Sequence, residues 1–94
     1  MLICCPYCGL NLNRPLNDGI THCSHCNHLI EANIKTKLMS LFKYMKNNSV
    51  SDINQIKFET RSDIDEILFV YAFAIENNYS NEEFNNLLKK FFKD

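Results

Sequence analysis

Two pairs of cysteines, Cys5-Pro6-Tyr7-Cys8 and Cys23-Ser24-His25-Cys26, carry the clearest chemistry in this sequence. Thiolates are metal ligands, and two C-x2-C pairs supply the four needed to close a tetrahedral cage around one ion. Each pair makes a tight turn that aims both sulfurs at one point, and the residue after the second cysteine is then often left-handed. Gly9 stands there in the first pair and Asn27 in the second, and these are the two residue types that tolerate that backbone best. The expected ligands are therefore Cys5, Cys8, Cys23 and Cys26, holding one structural Zn2+. Four thiolates leave the ion no open position, so hydrolytic metal chemistry is not expected.

Two disulfides are the alternative for paired cysteines. Adjacent C-x2-C partners favour metal unless the protein is secreted or a redox catalyst, and Met1-Leu2-Ile3 runs into the first pair with no signal peptide. A cytoplasmic, metal-binding chain is the expectation. A thioredoxin-like role is disfavoured because no βαβ pattern surrounds either pair. Cys4 is a fifth cysteine beside Cys5; the C-P-x-C-G spacing assigns Cys5 to the metal and leaves Cys4 as a small, half-buried thiol next to the site. His22, His25 and His28 flank the second pair, but four thiolates already fill the site, so the imidazoles are read as surface groups or as supports for the ligands.

Something must hold the two pairs face to face. Fourteen residues separate Cys8 from Cys23, enough for a β-hairpin, and Asp18-Gly19 is a two-residue turn signal near its middle. Short strands are expected near Leu10 to Leu12, Ile20 to His22 and His28 to Ala32. The hydrophobic period then turns helical: Ile34, Leu38, Leu41, Phe42 and Met45 mark an amphipathic helix over 33–46 that Asn47-Asn48 ends. Its exposed face is expected to carry Lys35, Lys37, Lys43 and Lys46. A short helix is expected over 51–57 with Ser51 as its cap. Ser62 opens another, with Asp63, Asp65 and Glu66 in the first turn where the dipole favours them, and Asn77-Asn78 closing it. The run from Ile67 to Ile75 is apolar almost all round, which predicts a central helix packed on most sides. Ser80 and Glu83 form a capping box, Tyr79 and Phe84 a hydrophobic staple, and Phe84, Leu87, Leu88, Phe91 and Phe92 one stripe. Residues 62–92 read as an αα-hairpin in which Phe91 and Phe92 could anchor a partner.

Composition bounds the function. With 94 residues and 46% hydrophobic content the chain can build one compact body or two very small ones. A formal net charge of −1 supplies no global attraction for nucleic acid. No apolar stretch reaches membrane-spanning length. No Gly-rich phosphate loop and no nucleophile with an identifiable base is present, and the acidic pairs Asp63/Asp65 and Glu82/Glu83 sit where helix dipoles explain them. A small-molecule substrate is not expected. The segment SDINQIKFETRSDIDEILF has the outline of a helix-turn-helix, but its second helix would present Asp63, Asp65 and Glu66 to phosphates that repel them.

The knuckles CPYCG and CSHCN resemble the zinc-ribbon superfamily, found among RNA polymerase subunits, general transcription factors and ribosomal proteins. CPYCG is also similar to a rubredoxin knuckle, which keeps iron open as an alternative ion. The C-terminal DIDEILFVYAFAIENNYSNEEFNNLLKKF resembles a helical segment of small late-transcription accessory proteins of tailed phages, which bind host RNA polymerase. These resemblances imply a zinc ribbon over about the first third and a protein partner in transcription.

Taken together, an α+β protein is expected: a zinc ribbon over 1–33, then a three- to four-helix bundle over 34–94. The expected function is a non-catalytic adapter that docks on a larger assembly. The alternative is a nucleic-acid-binding module using the ribbon and the Lys35 to Lys46 helix, with Arg14, Lys35, Lys37, Lys43 and Lys46 as candidate contacts.

Overall fold

A computed structural model describes residues 1–48 and 52–92. Four short strands precede the helices: β1 (Leu2–Cys4), β2 (Asn11–Leu16), β3 (Ile20–His22) and β4 (Leu29–Glu31). They form two separate antiparallel pairs, β1 with β2 and β3 with β4. Each cysteine pair thus sits in the turn of its own hairpin, and the ladder expected across Asp18-Gly19 does not form. That turn residue instead links the two hairpins: Gly19 has φ +82° and its carbonyl accepts from the Ala32 N–H at 2.9 Å. β1 was not anticipated from sequence; its Leu2 pairs with Leu16 and its Cys4 with Asn11, with an irregularity between.

Four helical elements follow, completing an α+β fold: α1 (Ile34–Asn48), α2 (Ile53–Thr60), α3 (Ile64–Val70) and α4 (Asn81–Phe91). Asn33 caps α1, its Oδ1 accepting from the Thr36 N–H at 3.0 Å while the Thr36 hydroxyl accepts from the Asn33 N–H at 3.0 Å. Asn47 and Asn48 belong to the helix and do not end it before 47. The expected cap Ser51 lies outside the described residues. Asp52 fills that role for α2, accepting from the Asn54 and Gln55 N–H groups. α3 is capped at Asp63, one residue after Ser62, with Glu66 Oε1 accepting from the Asp63 N–H at 3.4 Å.

α3 continues into a π-helical stretch, Tyr71–Ile75, in which the Glu76 N–H reaches the Tyr71 carbonyl five residues back. It ends as expected at Asn77-Asn78. Asn78 is left-handed at φ 54°, and the Asn78 and Tyr79 N–H groups bond the Ile75 and Ala74 carbonyls, a Schellman closure with asparagine in the glycine place. α4 starts with the predicted box: Ser80 Oγ accepts from the Glu83 N–H at 3.2 Å, and Glu83 Oε1 from the Ser80 N–H at 3.1 Å.

Two apolar clusters result. The larger gathers Leu38, Leu41, Phe42, Met45, Ile56, Ile67, Val70, Ala74, Phe84 and Leu88, with Phe42 and Phe84 rings 4.7 Å apart. The smaller gathers Leu2, Cys5, Cys23 and Ile30 around the cysteine turns. The prediction of a central helix packed on most sides fails for α3. Only Ile67, Val70 and Ala74 are buried, while Ile64, Leu68, Tyr71 and Phe73 are exposed by 40% or more. The reason is supply: α1, α2 and α4 are too few and short to surround it.

Candidate metal centre

The backbone makes the two cysteine turns nearly identical. Gly9 and Asn27 take φ +80° and +62°, the left-handed values expected of them. The Gly9 N–H bonds the Cys5 carbonyl at 3.0 Å and the Asn27 N–H bonds the Cys23 carbonyl at 2.9 Å. The Cys5 and Cys23 N–H groups close each turn on Leu10 and His28 carbonyls, at 2.8 and 3.0 Å. Inside each turn an amide points at the first sulfur: Tyr7 N–H to Cys5 Sγ and His25 N–H to Cys23 Sγ, both at 3.4 Å. Amides aimed at sulfur stabilise thiolate over thiol.

The Sγ atoms of Cys5, Cys8, Cys23 and Cys26 all lie within 4.8 Å of one another. Cys5 to Cys26 is 3.6 Å and Cys8 to Cys23 is 3.7 Å. A disulfide would need about 2.0 Å. A tetrahedral ion with metal–sulfur bonds of about 2.3 Å places its ligands about 3.8 Å apart, so the donor set fits one four-coordinate ion. All five cysteines are unbridged.

Without an ion the cluster holds its protons unequally. Burial pushes the Cys5 thiol up to about 12, and burial also raises Cys8. Cys23 is lowered to about 6, chiefly by the Cys26 backbone N–H, with the His25 N–H assisting. A metal entering the site must therefore displace protons, and its charge replaces them.

Around the sulfurs the histidines divide. His28 Nδ1 lies 3.4 Å from Cys26 Sγ, and its ring stacks on Tyr7 with centroids 4.7 Å apart. His25 is exposed, and His22 lines a shallow depression with Arg14, Leu12, Asn13, Thr21 and Ser24. Cys4 is not half-buried but fully buried, and it points away from the cage into the larger core.

The cage is fastened to α1 by groups that sequence reading missed. Cys4 Sγ donates to the Ser40 carbonyl at 3.2 Å, and Ser40 Oγ donates to the Cys4 carbonyl at 2.7 Å. Thr36 Oγ1 donates to the Glu31 carbonyl at 2.6 Å, and Asn47 Nδ2 donates to the Gly9 carbonyl at 3.0 Å. A signal for them exists in the sequence. Thr36, Ser40, Lys43 and Asn47 recur at i, i+4, i+7 and i+11, a second stripe opposite the apolar one. α1 therefore buries two faces, one against helices and one against the cysteine hairpins.

That arrangement corrects the expected exposed lysine face of α1. Helical geometry puts Lys37 about 200° around from Lys35, so Lys35 and Lys46 share one flank, Lys37 takes the other, and Lys43 falls in the stripe that faces the cysteine hairpins. Lys43 packs beside Gly9, and Lys46 Nζ donates to the Tyr79 carbonyl at 3.1 Å while lying 4.9 Å from the Phe42 ring. Lys35 borders a depression with Tyr7, Leu29, Glu31 and Asn33, whereas Arg14, on β2, lines the different depression that holds His22.

Comparison of the chain with protein-family models, curated proteins and solved structures finds no match. Among the described residues, no helix is long and apolar enough to cross a membrane.

Proposed function

We propose that this chain is a non-catalytic adapter in which one Zn2+, bound by Cys5, Cys8, Cys23 and Cys26, locks the N-terminal hairpins against α1 so that the whole presents a docking surface. The observation that carries this reading is the set of clasps from Cys4, Gly9 and Glu31 to Ser40, Asn47 and Thr36. They tie the cage to the helical core. Zinc is preferred to iron because a closed tetrathiolate site between two small hairpins serves structure without redox chemistry. Four protein thiolates complete the coordination shell, which supports the non-catalytic assignment.

The partner is proposed to be a protein of a larger macromolecular assembly. A transcription component such as RNA polymerase is the class implied by the sequence resemblances. Exposed aromatics support a protein partner: Phe73 and Phe91 are open to solvent and cluster with Phe69, at centroid distances of 4.9 and 5.8 Å. The test is affinity capture from the native cell with nuclease-treated extract, using metal-loaded and chelated protein in parallel. A protein retained only by the loaded form is expected. Retention that nuclease abolishes would instead support nucleic acid, and equal retention by both forms would remove the metal from the account.

A further inference from the structure

Charge is segregated along the helical part of the chain. Residues 62–88 hold six acidic side chains and neither lysine nor arginine. The preceding helix α2 turns a different face outward. Asn54, Lys57, Phe58 and Arg61 line a groove of about 640 Å³ together with Glu59 and with Met1, Ile3 and Pro15 from the first hairpin. Phe58 is 85% exposed, more than any other large apolar side chain among the described residues. Lys57 in the last turn of α2 and Arg61, its left-handed C-cap at φ 52°, line the groove with it. Glu59, the groove's acid, accepts from Gln55 Nε2 at 3.3 Å.

Next to this groove lies its chemical complement. The outer face of α3 presents Ile64, Asp65, Leu68, Tyr71 and Ala72 to solvent, with Glu76 one π turn beyond Tyr71. It is apolar with an acidic margin, where the groove is apolar with a cationic margin. α2 and α3 pack together across the short link of residues 61–63. Two complementary patches side by side on one chain can both be covered at once by a two-fold axis.

We propose that a second copy of this chain is the occupant: the α3 face of each protomer seats on the Lys57–Phe58–Arg61 groove of its partner. The inference goes beyond the adapter reading; because Met1, Ile3 and Pro15 of the first hairpin line the groove, it rests on the folded, metal-loaded form of the chain. Phe58 is the anchor, buried only on association, and the Lys57/Arg61 to Asp65/Glu76 pairing sets the orientation.

Analytical ultracentrifugation of metal-loaded full-length chain over a concentration series provides the test. A reversible monomer–dimer equilibrium is expected, weakened by added salt. Phe58→Ala should weaken dimerisation by about tenfold or more. Since Phe58 is solvent-exposed in the monomer, this variant should keep its fold, as checked by circular dichroism. Reversing the groove charges with Lys57→Glu and Arg61→Glu should dissociate the dimer, as should Asp65→Lys with Glu76→Lys. Combining all four should restore it. A chain monomeric at every concentration overturns the proposal. So does a dimer indifferent to Phe58→Ala, or a folded four-fold variant that stays monomeric.

Discussion

Cys4 and Cys5 are neighbours with opposite duties, and single substitutions separate them. Cys5→Ser should abolish tight binding of one metal per chain, measured as the metal-to-protein ratio after dialysis. Cys4→Ala should keep that ratio and lower stability by about 1–3 kcal/mol in denaturant unfolding, through lost packing and the lost bond to Ser40. Proton release fixes the pH dependence. With Cys5 held up to about 12 and Cys8 also raised, metal binding near neutrality must release their protons, so affinity rises with pH. Below about 6 Cys23 also takes up a proton, so affinity falls more steeply there; metal titrations across pH 5 to 8 check the slope. At this scale much could be read in advance. C-P-x-C-G singled out Cys5, and Gly9 and Asn27 marked the left-handed positions. The inward aim of Cys4 could not be read, because it depends on Ser40, 36 residues away.

Among the elements, α1 organises the molecule because it buries two faces. Its apolar stripe was plain in the sequence, whereas the role of Thr36, Ser40 and Asn47 depends on the carbonyls of Glu31, Cys4 and Gly9, which the chain brings to them only on folding. β1 escaped notice because three apolar residues before a cysteine turn have no period of their own. The ladder across Asp18-Gly19 was wrongly expected because a local turn signal says nothing of which strands pair. The glycines make a sharp element-level comparison. A methyl on Gly9 would meet Asn47 Nδ2 at 3.0 Å and Lys43 Cδ at 3.4 Å, besides the cost of φ +80°, whereas one on Gly19 meets nothing within 4 Å. Gly9→Ala should therefore weaken metal retention and stability more than Gly19→Ala, whose cost should be about 1–2 kcal/mol from backbone strain alone. Thermal melts of the two loaded variants test the order. In α4, Ser80→Ala removes the acceptor of the Glu83 N–H and should cost about 1 kcal/mol.

For the whole molecule, the apolar Ile67 to Ile75 run was read as a buried core helix because sequence alone does not count the neighbours available to cover it. The structure leaves that helix half open, with Leu68, Tyr71 and Phe73 exposed. The hairpins, by contrast, have a core of only Leu2, Cys5, Cys23 and Ile30, too little to persist without the ion. Chelation should therefore unfold the hairpins while the helices keep much of their far-UV signal. The reach of α1 into both units means that melting of the remaining helices should also move to lower temperature. The central claim is one closed tetrathiolate site, and cobalt(II) titration of the metal-free chain tests it most directly. Tetrahedral thiolate–cobalt absorption saturating at one equivalent, retained in Cys4→Ala and lost in Cys5→Ser, is the predicted result; a spectrum without tetrahedral bands, or one unchanged in Cys5→Ser, would contradict it.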